Sequence, residues 1–245
     1  MYYFNKNWCV IIPMANESVD FAPFIWALKK ILDEIGSGKV YFVVDSVSKD
    51  NTYELCKELS KSDTRFYTIW APGNKNVVDA YIRGYREAFD QGHDLLIEMD
   101  AGMSHDPRAL PMILRLLCEG NEAVFGSRFI NGGSMADSSF KRKFISKSGT
   151  FLANFLLGTS MYDMTSGYQG FHRDVVKLFI NYSLLSQAHF YQTEIRYLLR
   201  KKRFAEAPIH YRAPSKSVSS KAITNSFNVL FYYFFKRLSF SAVNL

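Results

Sequence analysis

Residues 97 to 107 read IEMDAGMSHDP, and the order of residue types in this stretch decides the fold. A strand-like run from Leu95 to Met99 ends in Asp100. Small Ala101 and Gly102 come next, then Ser104, His105, Asp106 and Pro107, and a helix-like segment begins. A carboxylate is thereby set at the carboxyl end of a buried strand, the edge of an open α/β sheet where strand ends and helix N-termini leave a crevice for ligands. A hard oxygen ligand beside small residues that permit close approach suits a nucleotide diphosphate and a divalent cation. The same aspartate also suits a turn or a helix N-cap, so the reading needs support from the rest of the chain.

Upstream, Trp8 to Pro13 (WCVIIP) and Val40 to Val44 are continuous apolar runs of strand length, and Phe66 to Ile69 is a third. Between the first two, Phe24, Leu28, Ile31, Leu32 and Ile35 recur at helical spacing up to Gly36 and Gly38, and further helices are expected over about 51–60 and 76–90. The order β-α-β-α-β-α-β, with continuous rather than alternating apolar strands, predicts an α/β fold: a mostly parallel sheet covered by helices on both faces. Downstream, a helix over 107–119 carries proline in its first turn, and a short strand over 123–125 precedes GSRF. Residues 131–139 (NGGSMADSS) are turn-rich and read as a mobile loop. Residues 144–157 and 189–200 are helix-like, the pattern between about 160 and 189 is irregular, and a strand-like 205–211 leads into the polar tract RAPSKSVSSK, 212–221. No repeat or linker divides the chain, so one domain over 1–221 with a C-terminal extension over 222–245 is the economical division.

With 245 residues, 48% of them hydrophobic, the chain can bury a sizeable core. Its formal charge of +7 is uneven: residues 1–127 carry 13 Lys and Arg against 18 Asp and Glu, while 128–245 carry 17 against 5. The basic half should meet an anionic partner such as a phosphate or a lipid headgroup. The aromatic residues are not interleaved with basic ones as in a nucleic-acid module, so no nucleic-acid partner is expected. Cys9, Cys56 and Cys118 lack CxxC spacing and read as reduced thiols of a cytoplasmic protein. The opening MYYFNKNW has no basic segment followed by a long apolar one, so no secretion signal is expected there, and no run of about 20 apolar residues spans a bilayer.

Glu17, Asp45 and Asp100 each follow an expected strand, and three acids at strand ends make a stronger case than one. At this point the sequence resembles the family 2 glycosyltransferases of the GT-A fold, most closely the polyprenyl-phosphate, dolichol-phosphate mannose synthase-like branch. IIPMANES looks like that family's opening PxYNE, VVDSVSKDNT is similar to its VDDGSxDGT, and DAGMSHDP follows its DAD and SHxP elements. GSRF, RKFIS, DMTSGY and the late SSK also match in order, from Trp8 to about Lys221.

The resemblance implies an inverting hexosyltransferase, of mannose or glucose type, acting from a GDP- or UDP-linked sugar onto a polyprenyl phosphate. Pro13, Ala15, Glu17, Val44 and Asp45 would hold the base and ribose of the donor, and Asp100, Ala101 and Gly102 would face its diphosphate, with Asp100 on a Mg²⁺ or Mn²⁺ ion. Arg128, Arg142, Ser146, Arg212 and Lys221 map to residues that contact phosphates, a task that the planar fork of arginine donors fits. Asp163, in DMTSG, would lie near the acceptor. Glu194 is a candidate general base, though an ion pair with Arg196 or Arg200 would explain it equally. Two positions depart from the pattern: Gly102 replaces the second metal-site acid, and Ser46 the second acid of the early pair. Ser104 or Asp106 could supply the missing oxygen. The departures keep two other readings open, a relative with a sugar hydroxyl as acceptor and a non-catalytic nucleotide-sugar binder.

The last element, from Ala222, concentrates Phe227, Phe231, Tyr232, Tyr233, Phe234 and Phe235 ahead of Lys236 and Arg237. Such a helix can lie in a membrane interface, or pack on its own domain or on a membrane-anchored partner. Peripheral contact with the cytoplasmic face of a membrane is the expectation.

Overall fold

The apolar runs become strands β1 (Trp8–Met14), β2 (Lys39–Val44), β3 (Phe66–Trp70) and β4 (Leu95–Glu98), separated by helices α1 (Phe21–Ile35), α2 (Thr52–Ser62) and α3 (Val77–Asp90). The computed structural model describes residues 5–36, 38–212 and 219–245; most of the tract 212–221 therefore lies outside the described residues. β1 pairs in parallel with β2 on one side and β4 on the other, and β2 pairs in parallel with β3. With β5 (Ala123–Ser127), β6 (Gln169–His172) and β7 (Phe204–Pro208), the sheet runs β3-β2-β1-β4-β6-β5-β7. Winding reverses between β1 and β4, so the loops that leave their carboxyl ends part there and open a crevice.

Strand alternation divides the core into two layers. Trp8, Val10 and Ile12 pack with α1, α2 and α4 (Leu110–Cys118), whereas Cys9 and Ile11 pack with α3, α6 (Arg173–Phe179) and α7 (Tyr191–Leu198). The expected helix over 107–119 begins as a single 3-10 turn, Pro107–Ala109, whose Arg108 N–H donates to the Asp106 side chain. Cys9 and Cys56 are buried, and Cys118, at the end of α4, is exposed; all three are free thiols.

The irregular stretch hides β6, which runs antiparallel to both β4 and β5. Four residues with Gly170 inside give no periodic pattern to read, and the glycine is required by packing: a Cβ there would lie 2.8 Å from Ile113 Cγ2. Because Glu98, last in β4, faces Gln169, first in β6, the loop 163–168 is delivered to the same sheet edge as Asp100. The 131–139 loop is tied down rather than free, since Ser134 N–H donates to the Ile209 carbonyl and Tyr211 N–H to that of Ser134.

Helix α5 (Phe140–Leu157) and helix α8 (Ser220–Leu238) lie against one another. α8 buries Val229, Leu230 and Tyr233 in the core, and the chain end folds back so that Leu245 N–H donates to the Leu198 carbonyl. Phe140, Phe144, Phe151 and Phe155 of α5 and Ile223, Phe227, Phe231 and Phe235 of α8 remain exposed. Among the described residues, no helix is long and apolar enough to cross a membrane.

Candidate active site

The loops after β1 and β2 are sewn together into one rim. Asn16 adopts a left-handed φ of 58°, its Oδ1 accepts from Lys49 N–H, and its Nδ2 donates to the Val47 carbonyl. Glu17 N–H donates to Thr52 Oγ1, and Ser18 N–H to Asp50. Burial works against ionised Asp50, but hydrogen bonds from Ser18 and Thr52 outweigh it and hold the carboxyl below its ordinary range. Asp45, which is buried, accepts from Val47 N–H and closes the turn after β2, beside the end of β1 that carries Pro13, Ala15 and Glu17. Val44 has its side chain in the core and its carbonyl accepts from Ala71 N–H, so its side chain seats Asp45 from below rather than facing the rim.

Across the crevice, Asp100 is one-third exposed. Its Oδ1 accepts from the Tyr81 hydroxyl at 2.5 Å, and its Oδ2 lies 3.6 Å from His105 Nε2. His105 Nδ1 accepts from Asp100 N–H, which fixes the tautomer with the proton on Nε2, and burial lowers the pKa of the ring, so it is neutral. Gly102, with φ of 66°, lets the Glu17 carboxylate approach: a Cβ on Gly102 would lie 2.6 Å from Glu17 Oε2. Asp106 cannot replace the missing acid. It is buried and held by Arg108 and, at 3.0 Å, by Arg212, which places Arg212 on this loop rather than in the cleft beyond it. Among the described residues no three His, Cys, Asp or Glu groups converge as a metal cage. The donor set still fits Mg²⁺ or Mn²⁺ in the mode where one carboxylate joins substrate phosphates and water, with Asp100 as that carboxylate.

Beyond Asp100 a cleft of about 340 Å³ runs between α5 and α8. Its polar end gathers Asp100, His105, Arg128, Arg142, Ser146 and Thr165; its walls are Ile145, Leu152, Ile223, Phe227 and Leu230. Arg128 is buried and forked onto Asp163, with Nε to Oδ2 at 2.7 Å and Nη2 to Oδ1 at 2.8 Å, and Nη2 also donates to Thr165 Oγ1. Asp163 is thus the fully buried counter-ion that orients Arg128, not a group that touches a ligand. Arg142 Nη2 donates to the Tyr211 hydroxyl at 2.9 Å while its guanidinium lies over the Tyr211 ring. Tyr211 escaped the sequence reading; its one trace was an aromatic beside Arg212 at the end of a strand-like run.

Two further expectations are corrected. Glu194 is fully buried, its oxygens accepting from Leu185 and Ser186 N–H and from the Tyr233 hydroxyl, so it anchors a loop and α8 and is no base in the cleft. Its alternative fails too, since Arg196 donates to the Ser166 and Gly126 carbonyls and Arg200 to those of Tyr197 and Val243. Lys221 lines a separate cleft of about 290 Å³ with Lys75, Asn76 and Asn225, apart from Arg128 and Arg142.

The sequence model described as Glycosyl transferase family 2 matches residues 9–179. The undecaprenyl-phosphate mannosyltransferase of Micrococcus luteus is 30% identical over 203 residues, 82% of either chain. The polyprenol monophosphomannose synthase of Mycolicibacterium smegmatis is 27% identical over 225 residues, 91% of this chain and 83% of that one. The dolichol-phosphate mannosyltransferase of Pyrococcus furiosus is 31% identical over 170 residues, 69% of this chain and 47% of the relative. Among solved structures, glucosyl-3-phosphoglycerate synthase from Mycobacterium tuberculosis, in complex with Mn²⁺, UDP and phosphoglyceric acid, superposes with a TM-score of 0.66 at 15% identity, over 95% of this chain and 78% of that one. At that identity the likeness concerns the fold, which is GT-A.

Proposed function

Because the chain belongs to glycosyl transferase family 2, we propose that it moves a hexose, of the mannose type, from a nucleoside-diphosphate sugar to a polyprenyl phosphate at a membrane surface. The observation that carries this reading is the cleft itself: two arginines and Asp100 at one end, and apolar walls from α5 and α8 that lead out to exposed aromatic residues. An anionic head on an apolar tail fits that gradient, and the named activities of the relatives agree with it.

The rim of Pro13, Ala15, Glu17 and Asp45 takes the base and ribose, with carboxylates accepting from base N–H or ribose hydroxyls. Asp100 faces the diphosphate. A divalent cation bound there would neutralise charge on the leaving diphosphate. Arg142 and Arg128 hold the acceptor phosphate in line with the anomeric carbon, so the transfer inverts. A phosphate monoester with second pKa of about 6 is already ionised at neutral pH, so the acceptor needs no protein base. That agrees with Glu194 being structural. The exposed faces of α5 and α8 would rest in the cytoplasmic interface with their lysines at headgroup level.

The test is transfer from GDP-mannose, UDP-glucose and UDP alone as control, to undecaprenyl or dolichyl phosphate in vesicles, with and without Mn²⁺. Transfer by the wild type and none by Asp100→Asn, whose amide oxygen still accepts from the buried Tyr81 hydroxyl, is expected, with thermal stability close to wild type. Wild-type-like transfer by that variant would remove Asp100 from the site; nucleotide-sugar binding without any transfer would favour the non-catalytic relative.

A further inference from the structure

We propose that Tyr81 and Glu98 are positioning residues for Asp100, forming a buried two-rung brace that also ties the wall of the acceptor cleft to the donor carboxylate. The inference rests on the reading of Asp100 as the group facing the donor diphosphate.

The brace follows from matched periodicities. In β4 and its extension, Glu98 and Asp100 are two residues apart and share a face; on α3, Tyr81 and Tyr85 are four apart and share a face. Two residues of strand rise about 6.6 Å and four of helix about 6 Å, so the two pairs come into register. The upper rung is the Tyr81 hydroxyl on Asp100 Oδ1 at 2.5 Å; the lower is the Tyr85 hydroxyl on Glu98 Oε2 at 3.0 Å. From α7, the Tyr191 hydroxyl also donates to Glu98 Oε2, and its ring packs on Tyr81 with centroids 5.4 Å apart. From β6, Gln169 Nε2 donates to Glu98 Oε1 at 2.8 Å. Glu98, Tyr81 and Tyr85 have no exposed surface.

An acid in the middle of a sheet is costly to bury, and an apolar side chain would serve packing alone. Here it collects donors from α3, α7 and β6, which fixes Tyr191 and through it the ring of Tyr81. Asp100 is the partly exposed member, and its other near neighbour, His105 Nε2 at 3.6 Å, is too far to hold the carboxylate by a hydrogen bond. Held by Tyr81, it meets a ligand already oriented, so no ordering is required at the moment of binding. The next residues of α7, Gln192 and Thr193, line the acceptor cleft, so a shift of that wall is felt at Glu98.

The experiment compares full-length wild type, Tyr81→Phe, Glu98→Ala and Glu98→Gln by thermal unfolding, by kcat and KM for donor and acceptor separately, and by Mn²⁺ affinity of the nucleotide complex measured by electron paramagnetic resonance. Tyr81→Phe should unfold within a few degrees of wild type, lose about tenfold in kcat and bind Mn²⁺ severalfold more weakly, with the acceptor KM within about twofold. Glu98→Ala should show the same losses, and Glu98→Gln should restore most of them, because an amide keeps an acceptor for the tyrosines. Wild-type kcat and Mn²⁺ affinity in Tyr81→Phe, or a Glu98→Ala that only loses thermal stability, would overturn the proposal. If the wild type transfers no hexose the proposed function fails separately, and the Mn²⁺ measurement still decides the role of Tyr81; if the wild type transfers hexose but binds no Mn²⁺ with nucleotide, kcat of Tyr81→Phe decides it, and a wild-type value overturns the proposal.

Discussion

Arg142 can be deleted cleanly and Arg128 cannot. Arg142 lines the cleft and donates to a tyrosine that keeps other contacts, so Arg142→Ala should raise the KM for lipid phosphate at least about tenfold and leave nucleotide binding intact, given that a hydrogen bond to a charged group is worth about 1.5–3 kcal/mol. Equal loss of nucleotide affinity, read by calorimetry, would move Arg142 to the donor side. Arg128→Ala strands Asp163. Burial pushes that carboxyl up, but the bonds and charge of Arg128 hold it low, and removing the cation leaves a buried anion at a cost of about 3–5 kcal/mol, visible as a lower melting temperature. Glu98 carries a pH prediction. Burial, ahead of the opposing bonds from Tyr191 and Tyr85, pushes its pKa from 4.5 up to about 8. The folded state therefore keeps a proton that the unfolded chain releases; the stabilisation is complete below pH 4.5 and is lost as pH rises through about 8. Buried His93, lowered to about 4 mainly by desolvation, pulls the other way between about 4 and 6.5, so the effect is isolated as wild type minus Glu98→Gln. That difference should shrink from pH 5 to 8.5 in thermal unfolding, and parallel curves would refute it. The sequence hid this residue because one acid inside a short apolar run did not interrupt the strand reading. The tyrosines at helical spacing facing it were the available clue.

Among the elements, α8 has two faces with different duties. Val229, Leu230 and Tyr233 close the core and Tyr233 reaches Glu194, so cutting the chain at Ala222 should damage the fold and report nothing about membranes. Replacing Phe227, Phe231 and Phe235 by serine leaves the packed face alone. That variant should melt within a few degrees of wild type and lose most of its binding to vesicles; undiminished sedimentation with vesicles would remove α8 from the membrane contact. The alternating elements from β1 to β5 were legible because each strand is a continuous apolar run and each helix shows its stripe. β6 was not, since four residues paired only by distant neighbours have no local pattern, and with it went the reason why residues 163–168 arrive beside Asp100. The positions of Asp45 and Asp100 at the carboxyl ends of strands were legible from the apolar runs before them. Glu194 and Asp163 were misjudged because an acid's partners, here backbone N–H groups and Arg128, depend on tertiary contacts that no spacing records.

At the scale of the whole molecule, the arginines and apolar walls of the cleft and the exposed aromatic helices all belong to the basic half, whose 17 cations face only 5 acids. Attraction to anionic lipid is worth about 1 kcal/mol per Lys or Arg near the surface and is screened over about 8 Å at physiological ionic strength, whereas insertion of rings is not screened. Binding to anionic vesicles should therefore weaken at high salt and persist in part; complete loss would mean that charge alone holds the protein there. Of the three thiols, only Cys118 meets solvent, at the end of α4 opposite the sheet edge that carries Asp100, while Cys9 and Cys56 are sealed inside. The natural chain thus comes with a single addressable position for a maleimide dye or spin label, remote from the chemistry, from which distances to a lipid bilayer or to a labelled nucleotide can be measured without altering one residue.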